Sequence, residues 1–168
     1  MSAIKHLAAG AALALLFTLC VAYPARAQGS GDAESQHQLN LKAARADRKA
    51  IVGENMNLTP DQAKAFWPVY DAYEAKMDKL DDQHFAEIKD YAAHYQTLTD
   101  DDATKKLDAV MQLRQERLDV QKEFIPKFRA VVSPILTARF FQIDNKLNAM
   151  VQYQIAKIVP LAGMAGSQ

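Results

Sequence analysis

Apolar side chains recur along this chain with the period of a helix. From Pro60 onward Phe66, Tyr70, Tyr73, Met77, Leu80, His84, Ile88, Tyr91 and Tyr95 follow one another in steps of four and three, with one extra four. That is the seam of a coiled-coil-like helix. At about 1.5 Å per residue, a helix from Pro60 to Gln96 is roughly 55 Å long. A shorter helix precedes it from about Leu39 to Asn55, with Leu41, Ala44, Ile51 and Val52 on one side and Lys42, Arg45, Arg48 and Lys49 largely on the other. A third is expected from Thr99 to about Val131, with Leu107, Val110, Met111, Leu118 and Phe124 as its apolar set. A fourth starts at Ser133, turns Leu136, Phe140, Ile143, Leu147, Met150, Ile155 and Ile158 towards a core, and stops at Pro160. No stretch alternates apolar and polar residues as a strand does. The expected fold is all-α: an elongated antiparallel hairpin or bundle of about four helices, kinked where Pro68 and Pro126 remove a backbone hydrogen bond.

The helix beginnings are written in hydroxyl residues. In Leu58-Thr59-Pro60-Asp61-Gln62, Thr59 can accept from the backbone N–H of Gln62, Gln62 can reach back to Thr59, and Pro60 occupies the first helical position, where no N–H is needed. Leu98-Thr99-Asp100 and Val132-Ser133-Pro134 repeat the apolar residue, hydroxyl and starter.

The amino-terminal residues do not belong to this pattern. Lys5 and His6 precede an uncharged apolar run from Leu7 to Ala22, and Ala25-Arg26-Ala27 places small residues where a signal peptidase reads them. Residues 1–27 are therefore expected to be an export signal, and the protein periplasmic. No later run approaches the roughly 20 apolar residues that span a bilayer, so no integral membrane segment is expected after the signal is removed. Residues 28–38 are small and polar and read as a flexible leader, residues 39–160 as a single helical domain, and residues 161–168 as a tail. Lys5 and Arg26 leave with the signal, so 18 of the 20 basic residues remain against 20 acidic ones. A formal charge of −2 argues against nucleic acid as a partner. The single cysteine, Cys20, lies in the signal behind a bulky Leu19 that fits no lipobox, so no disulfide or thiol chemistry is expected.

Met56-Asn57-Leu58-Thr59-Pro60-Asp61-Gln62, the long charged hairpin, and the second hydroxyl-proline start at Val132-Ser133-Pro134 resemble the LTXXQ family, which includes the periplasmic proteins Spy and CpxP. The likeness covers about Ala43 to Met150, and Ala138 to Leu147 also looks like a subgroup of exported members. Leu58, Thr59 and Gln62 match the first motif. At the second, Val132 and Ser133 fit conservatively, but Leu136 stands where the family has glutamine. The resemblance implies an all-helical fold, a cradle-shaped antiparallel homodimer, and activity as an ATP-independent chaperone or as a restraint on an envelope-stress sensor. A few members bind metal.

Little else in the chain carries chemistry. His84 and Glu87 lie three apart on one helix face and are the candidate metal ligands, but His94 is roughly 15 Å away along the axis and cannot join them. Lining the bundle edge is the simpler role for His84. Asp81-Asp82 and Asp100-Asp101-Asp102 lack a pocket to separate their pKa values, and the latter three suit the positive end of a helix dipole. No phosphate loop, nucleophile elbow or His-Glu-x-x-His is present, so no enzyme and no cofactor is expected. Phe66, Trp67, Tyr70 and Tyr73 are expected first to fill the core, as aromatics usually do, and with Met77 they are also the candidate client-binding residues, part of the cluster being left on a concave face rimmed by Lys64, Lys76 and Lys79. Arg139, Asp144, Asn145 and Lys146 interrupt the fourth helix's stripe and are expected to cap neighbouring groups or form surface pairs. The functional expectation is a periplasmic protein that binds unfolded or envelope proteins. Docking on one sensor protein is the alternative, and metal sensing a further one.

Overall fold

The computed structural model describes residues 46–162; the expected export signal and leader, the expected start of the first helix and the last six residues lie outside the described residues. The chain divides into two compact units, Met1–Ala50 and Ile51–Gln168. Of the first, only residues 46–50 are described, and they are helical. All that follows concerns the second.

In this unit helix α1 covers residues 51–56 and ends one residue beyond the expected end. The Asn55 side chain donates to the Ile51 carbonyl at 2.8 Å. Asn57 then adopts φ 49°, the left-handed conformation that asparagine tolerates and that commonly ends a helix. Helix α2, Pro60–His94, starts with both halves of the expected cap. Gln62 N–H donates to Thr59 Oγ1 at 3.3 Å, and Thr59 N–H donates to Gln62 Oε1 at 3.0 Å. The helix runs unbroken through Pro68, and α3, Asp100–Val131, does the same through Pro126. Both prolines are exposed, so the carbonyls of Lys64 and Lys122, which lose their helical donors, can turn to water.

Thr99 caps α3 by accepting from Asp102 N–H at 3.2 Å, and its hydroxyl donates to the Asp102 carboxylate at 2.6 Å. That bond holds the Asp102 carboxyl below the usual range. Val132 is extended, and Ser133 caps α4, Pro134–Ile158, by accepting from Leu136 N–H at 3.4 Å. Leu136 carries no side-chain acceptor, so this cap is one-sided. Among the described residues there are four helices and no strand, and no helix is long and apolar enough to cross a membrane.

Helices α2 and α3 pack antiparallel, as Tyr73 against Phe124 and Asp81 against Arg117 show. Helix α4 folds back along them and inserts Phe140 between Phe66, Tyr70, Tyr73 and Phe128, with ring centroids 4.4 Å apart at Phe128. Val52 and Met56 of α1 join the same core. Truncating any one of these buried rings to alanine costs about 3–5 kcal/mol.

Full burial ends at Leu80 on α2 and at Phe124 on α3. Beyond that point His84, Ile88, Tyr91 and Tyr95 are only half-buried, and ion pairs take over. Arg117 pairs with Asp81, and Lys106 bridges Glu87 at 2.8 Å and Asp90 at 2.5 Å. Asp90 and Glu87 push the Lys106 ammonium above its usual pKa, while Lys106 holds the Asp90 carboxyl below its own. Helix α4 departs from expectation in its second half: Met150 and Ile158, expected in the core, are exposed, because the stripe they belong to runs past the helices that cover its first half.

Candidate protein-binding surface

Phe66, Tyr70, Tyr73 and Met77, expected to meet clients, are buried in the core. They offer a partner nothing while the bundle is folded. Their seam positions face α3 and α4 together, and edge-to-face ring packing fixes them there. Trp67 is half-buried, T-shaped against Phe66 and Tyr70 and lying beside Gly53. Of the expected basic rim, Lys76 is drawn to Glu123 at 2.6 Å and lies over the Phe124 ring, with Lys127 over the same ring at 4.2 Å. The capping residues Thr59, Gln62, Thr99 and Ser133 stand at the three helix starts, and Leu58 packs onto the core.

The candidate metal pair is occupied by the protein's own cations. Glu87 accepts from Lys106, and His84 faces Arg117 and Arg114 as well as Asp81. Burial first, and Arg117 second, lower the His84 pKa. A divalent ion at this place would have to displace two cationic side chains. Among the described residues no group of three or more acidic or histidine side chains is placed to hold a metal ion. In the hollow at the hairpin tip, lined by Glu87, Asp90, His94 and Lys106 among others, the acidic walls are likewise paired, with Lys106 and His94.

Asp144 corrects the expectation of a surface or capping role. It is only 1 % exposed, and its carboxylate accepts from the Tyr73 hydroxyl and from Asn148 Nδ2, each at 3.1 Å. The Tyr73 bond ties α2 to α4, and the Tyr73 ring packs at the same level on Phe124 and Phe128 of α3. Burial first, and Asp144 second, push the Tyr73 pKa far up, so the hydroxyl keeps its proton and acts as donor. No buried side-chain polar atom among the described residues lacks a partner. The sequence held one sign of this: Asp144 lies seven residues after Thr137, on the same helical face, and Thr137 is buried too.

The exposed apolar surface lies elsewhere than expected, and it has an order. On α3, Ile125, Leu118 and Met111 are spaced by seven and therefore share a face. Ile125 is half-buried, but Leu118 is 43 %, Met111 53 % and Leu107, one turn on, 63 % exposed. On α4, Thr137, Asp144, Val151 and Ile158 are again spaced by seven, and exposure climbs from 3 % and 1 % to 48 % and 57 %, then to 70 % at Leu161. Both helices thus carry a core stripe that continues beyond its cover. The Tyr91 hydroxyl donates to the Pro160 carbonyl at 2.9 Å, tying the end of α4 to α2. The outer halves of α3 and α4 both carry exposed apolar side chains. Periodicity placed Leu107, Met111 and Leu118 on an apolar face but gave no sign that the face lacks a neighbour.

No protein family, curated protein or solved structure matches the chain.

Proposed function

We propose that this is an exported, periplasmic protein that holds unfolded or envelope proteins without ATP, as a Spy- or CpxP-like chaperone or envelope-stress accessory. The observation that carries the reading is the pair of core stripes left uncovered on α3 and α4. Large exposed apolar patches of this kind mark binding sites, since a monomer without a partner gains nothing from them. The surroundings suit transient contacts. Gln152 and Gln154 are exposed on α4 beside Val151 and can hydrogen-bond an extended client backbone. The LTXXQ-like motif at Leu58, Thr59 and Gln62 and the export signal of residues 1–27 support the same class and place.

The test is suppression of aggregation. Protein lacking residues 1–27, mixed at equal molar ratio with a chemically unfolded client, is expected to slow its light scattering, and Leu118→Asp with Met111→Asp to abolish the effect. If several unrelated clients aggregate at their unassisted rate, the chaperone reading fails. Photocrosslinking from position 118 in cells then distinguishes docking on one folded envelope protein, which gives a single adduct, from a spread of clients.

A further inference from the structure

We infer that the outward face of α4 docks on anionic bilayer surfaces and holds the helix in the plane of the membrane. The inference goes beyond the proposed function and uses none of it.

Three observations name the occupant. The first is a face. At about 100° per residue, Ile135, Arg139, Lys146, Met150, Tyr153 and Lys157 of α4 fall within about 60° of one another, along a line about 33 Å long. All six are exposed, Ile135 at 72 % and Tyr153 at 63 %. The stripe of Thr137, Asp144, Val151 and Ile158 lies about 140° around the helix, and its first half is buried in the core. The outward face is thus a separate surface.

The second is charge. From Phe124 to Gln168 the chain has five basic residues and one acidic one, Asp144, which is buried. Residues 28–123 have the opposite balance, 13 basic against 19 acidic. There the cations are neutralised within the chain: Lys76 by Glu123, Lys106 by Glu87 and Asp90, Arg117 by Asp81. On α4, the side chains of Arg139 and Lys146 have no ion-pair partner among the described residues, and Lys157 has only the Tyr153 ring, 5.6 Å away. Three unneutralised cations in one line match a sheet of lipid phosphates.

The third is the order of side chains along that line. Ile135, Met150 and Tyr153 stand among the cations and form no patch of their own. A bilayer boundary offers phosphates and acyl chains along any line, so the lysine and arginine stems can lie on the apolar layer while their heads reach the phosphates. Tyrosine settles at the same depth. A nucleic acid would leave the apolar members without a role. Among the described residues no helix is long and apolar enough to cross a membrane, so the contact is in-plane.

Flotation with large unilamellar vesicles, on the chain lacking residues 1–27, tests this. The protein is expected to float with vesicles of phosphatidylethanolamine and phosphatidylglycerol, to stay behind with pure phosphatidylcholine, and to be released by about 0.5 M salt. Arg139→Gln with Lys146→Gln and Lys157→Gln is expected to weaken binding about fivefold per cation, on the order of 100-fold together. Helical circular dichroism is expected to stay unchanged, since all three side chains are exposed. Met150→Ser with Tyr153→Ser keeps the charge and is expected to weaken binding about 10-fold. Lys64→Gln with Lys79→Gln and Lys89→Gln makes the same change of net charge on α2, and is expected to alter binding less than about twofold. A chain that ignores phosphatidylglycerol vesicles, binds neutral ones equally well, or loses as much binding in the α2 variant as in the α4 variant overturns the inference. So does an α4 variant that still floats but has altered self-association or client protection, which would give the face to a protein. Leu118→Asp with Met111→Asp, which tests client protection, is expected to leave flotation unchanged, so failure of either reading is told apart from failure of the other.

Discussion

Replacing Tyr73 with phenylalanine deletes one oxygen and keeps the ring. The hydroxyl donates at 3.1 Å to a carboxylate that is 1 % exposed, so water cannot take its place. A hydrogen bond to a charged group contributes about 1.5–3 kcal/mol, and leaving its buried partner short of a donor adds to the loss. Asn148 still donates to the same oxygen, which limits the loss to about 2 kcal/mol. For a domain of this size, that corresponds to a fall in Tm of roughly 8 °C. The assay is thermal and urea unfolding followed by circular dichroism at 222 nm. A second variant separates polar satisfaction from packing. Tyr73→Phe combined with Asp144→Leu removes donor and acceptor together, and is expected to recover part of the loss, because a matched apolar pair leaves less unsatisfied. If Tyr73→Phe changes stability by less than about 0.5 kcal/mol, Asp144 has another source of solvation, and the α2–α4 tie described above is wrong.

Thr59→Ala removes one side of the α2 cap and is expected to cost about 1 kcal/mol in the same unfolding assay, while Ser133→Ala, whose cap is one-sided, costs less. Gly53→Ala is expected to stabilise by about 0.5–1 kcal/mol, since it removes a flexible residue from α1 and its Cβ would meet Trp67 carbons at 3.5 and 3.6 Å, an ordinary contact. His84 is held neutral in the folded state by burial and Arg117, so the unfolded chain binds more protons below pH 6.5. Stability is therefore full above pH 6.5 and falls as the pH drops through the lowered folded value; His84→Leu is expected to flatten that part of the urea-midpoint profile, and an unchanged slope would assign it to other groups.

The parts of this protein written in short range were legible in its sequence. Thr59, Thr99 and Ser133 start their helices because a hydroxyl that satisfies an N–H three residues on acts within one turn. The seam from Phe66 to Leu80 is buried because a period of 3.5 needs only one neighbour to be read. Hydropathy says nothing of a tyrosine seventy-one residues away that makes the burial of Asp144 tolerable. Periodicity shows that Phe66, Tyr70 and Tyr73 share a face and favours a core for them, which is where they lie, but whether any part of that face stays open is a tertiary fact. For the same reason the stripe that carries Met150 and Ile158 gives no sign that the core ends before reaching them.

The lone tryptophan also determines what optical experiments on this protein can see. Its indole is lodged among Phe66, Tyr70 and Gly53, where α1 meets α2, many turns from the hairpin tip. Emission spectra will follow melting of that corner and stay silent if residues beyond Leu80 fray first. Tyrosine signals from Tyr91 and Tyr95, or amide exchange, are the probes that report on the outer half.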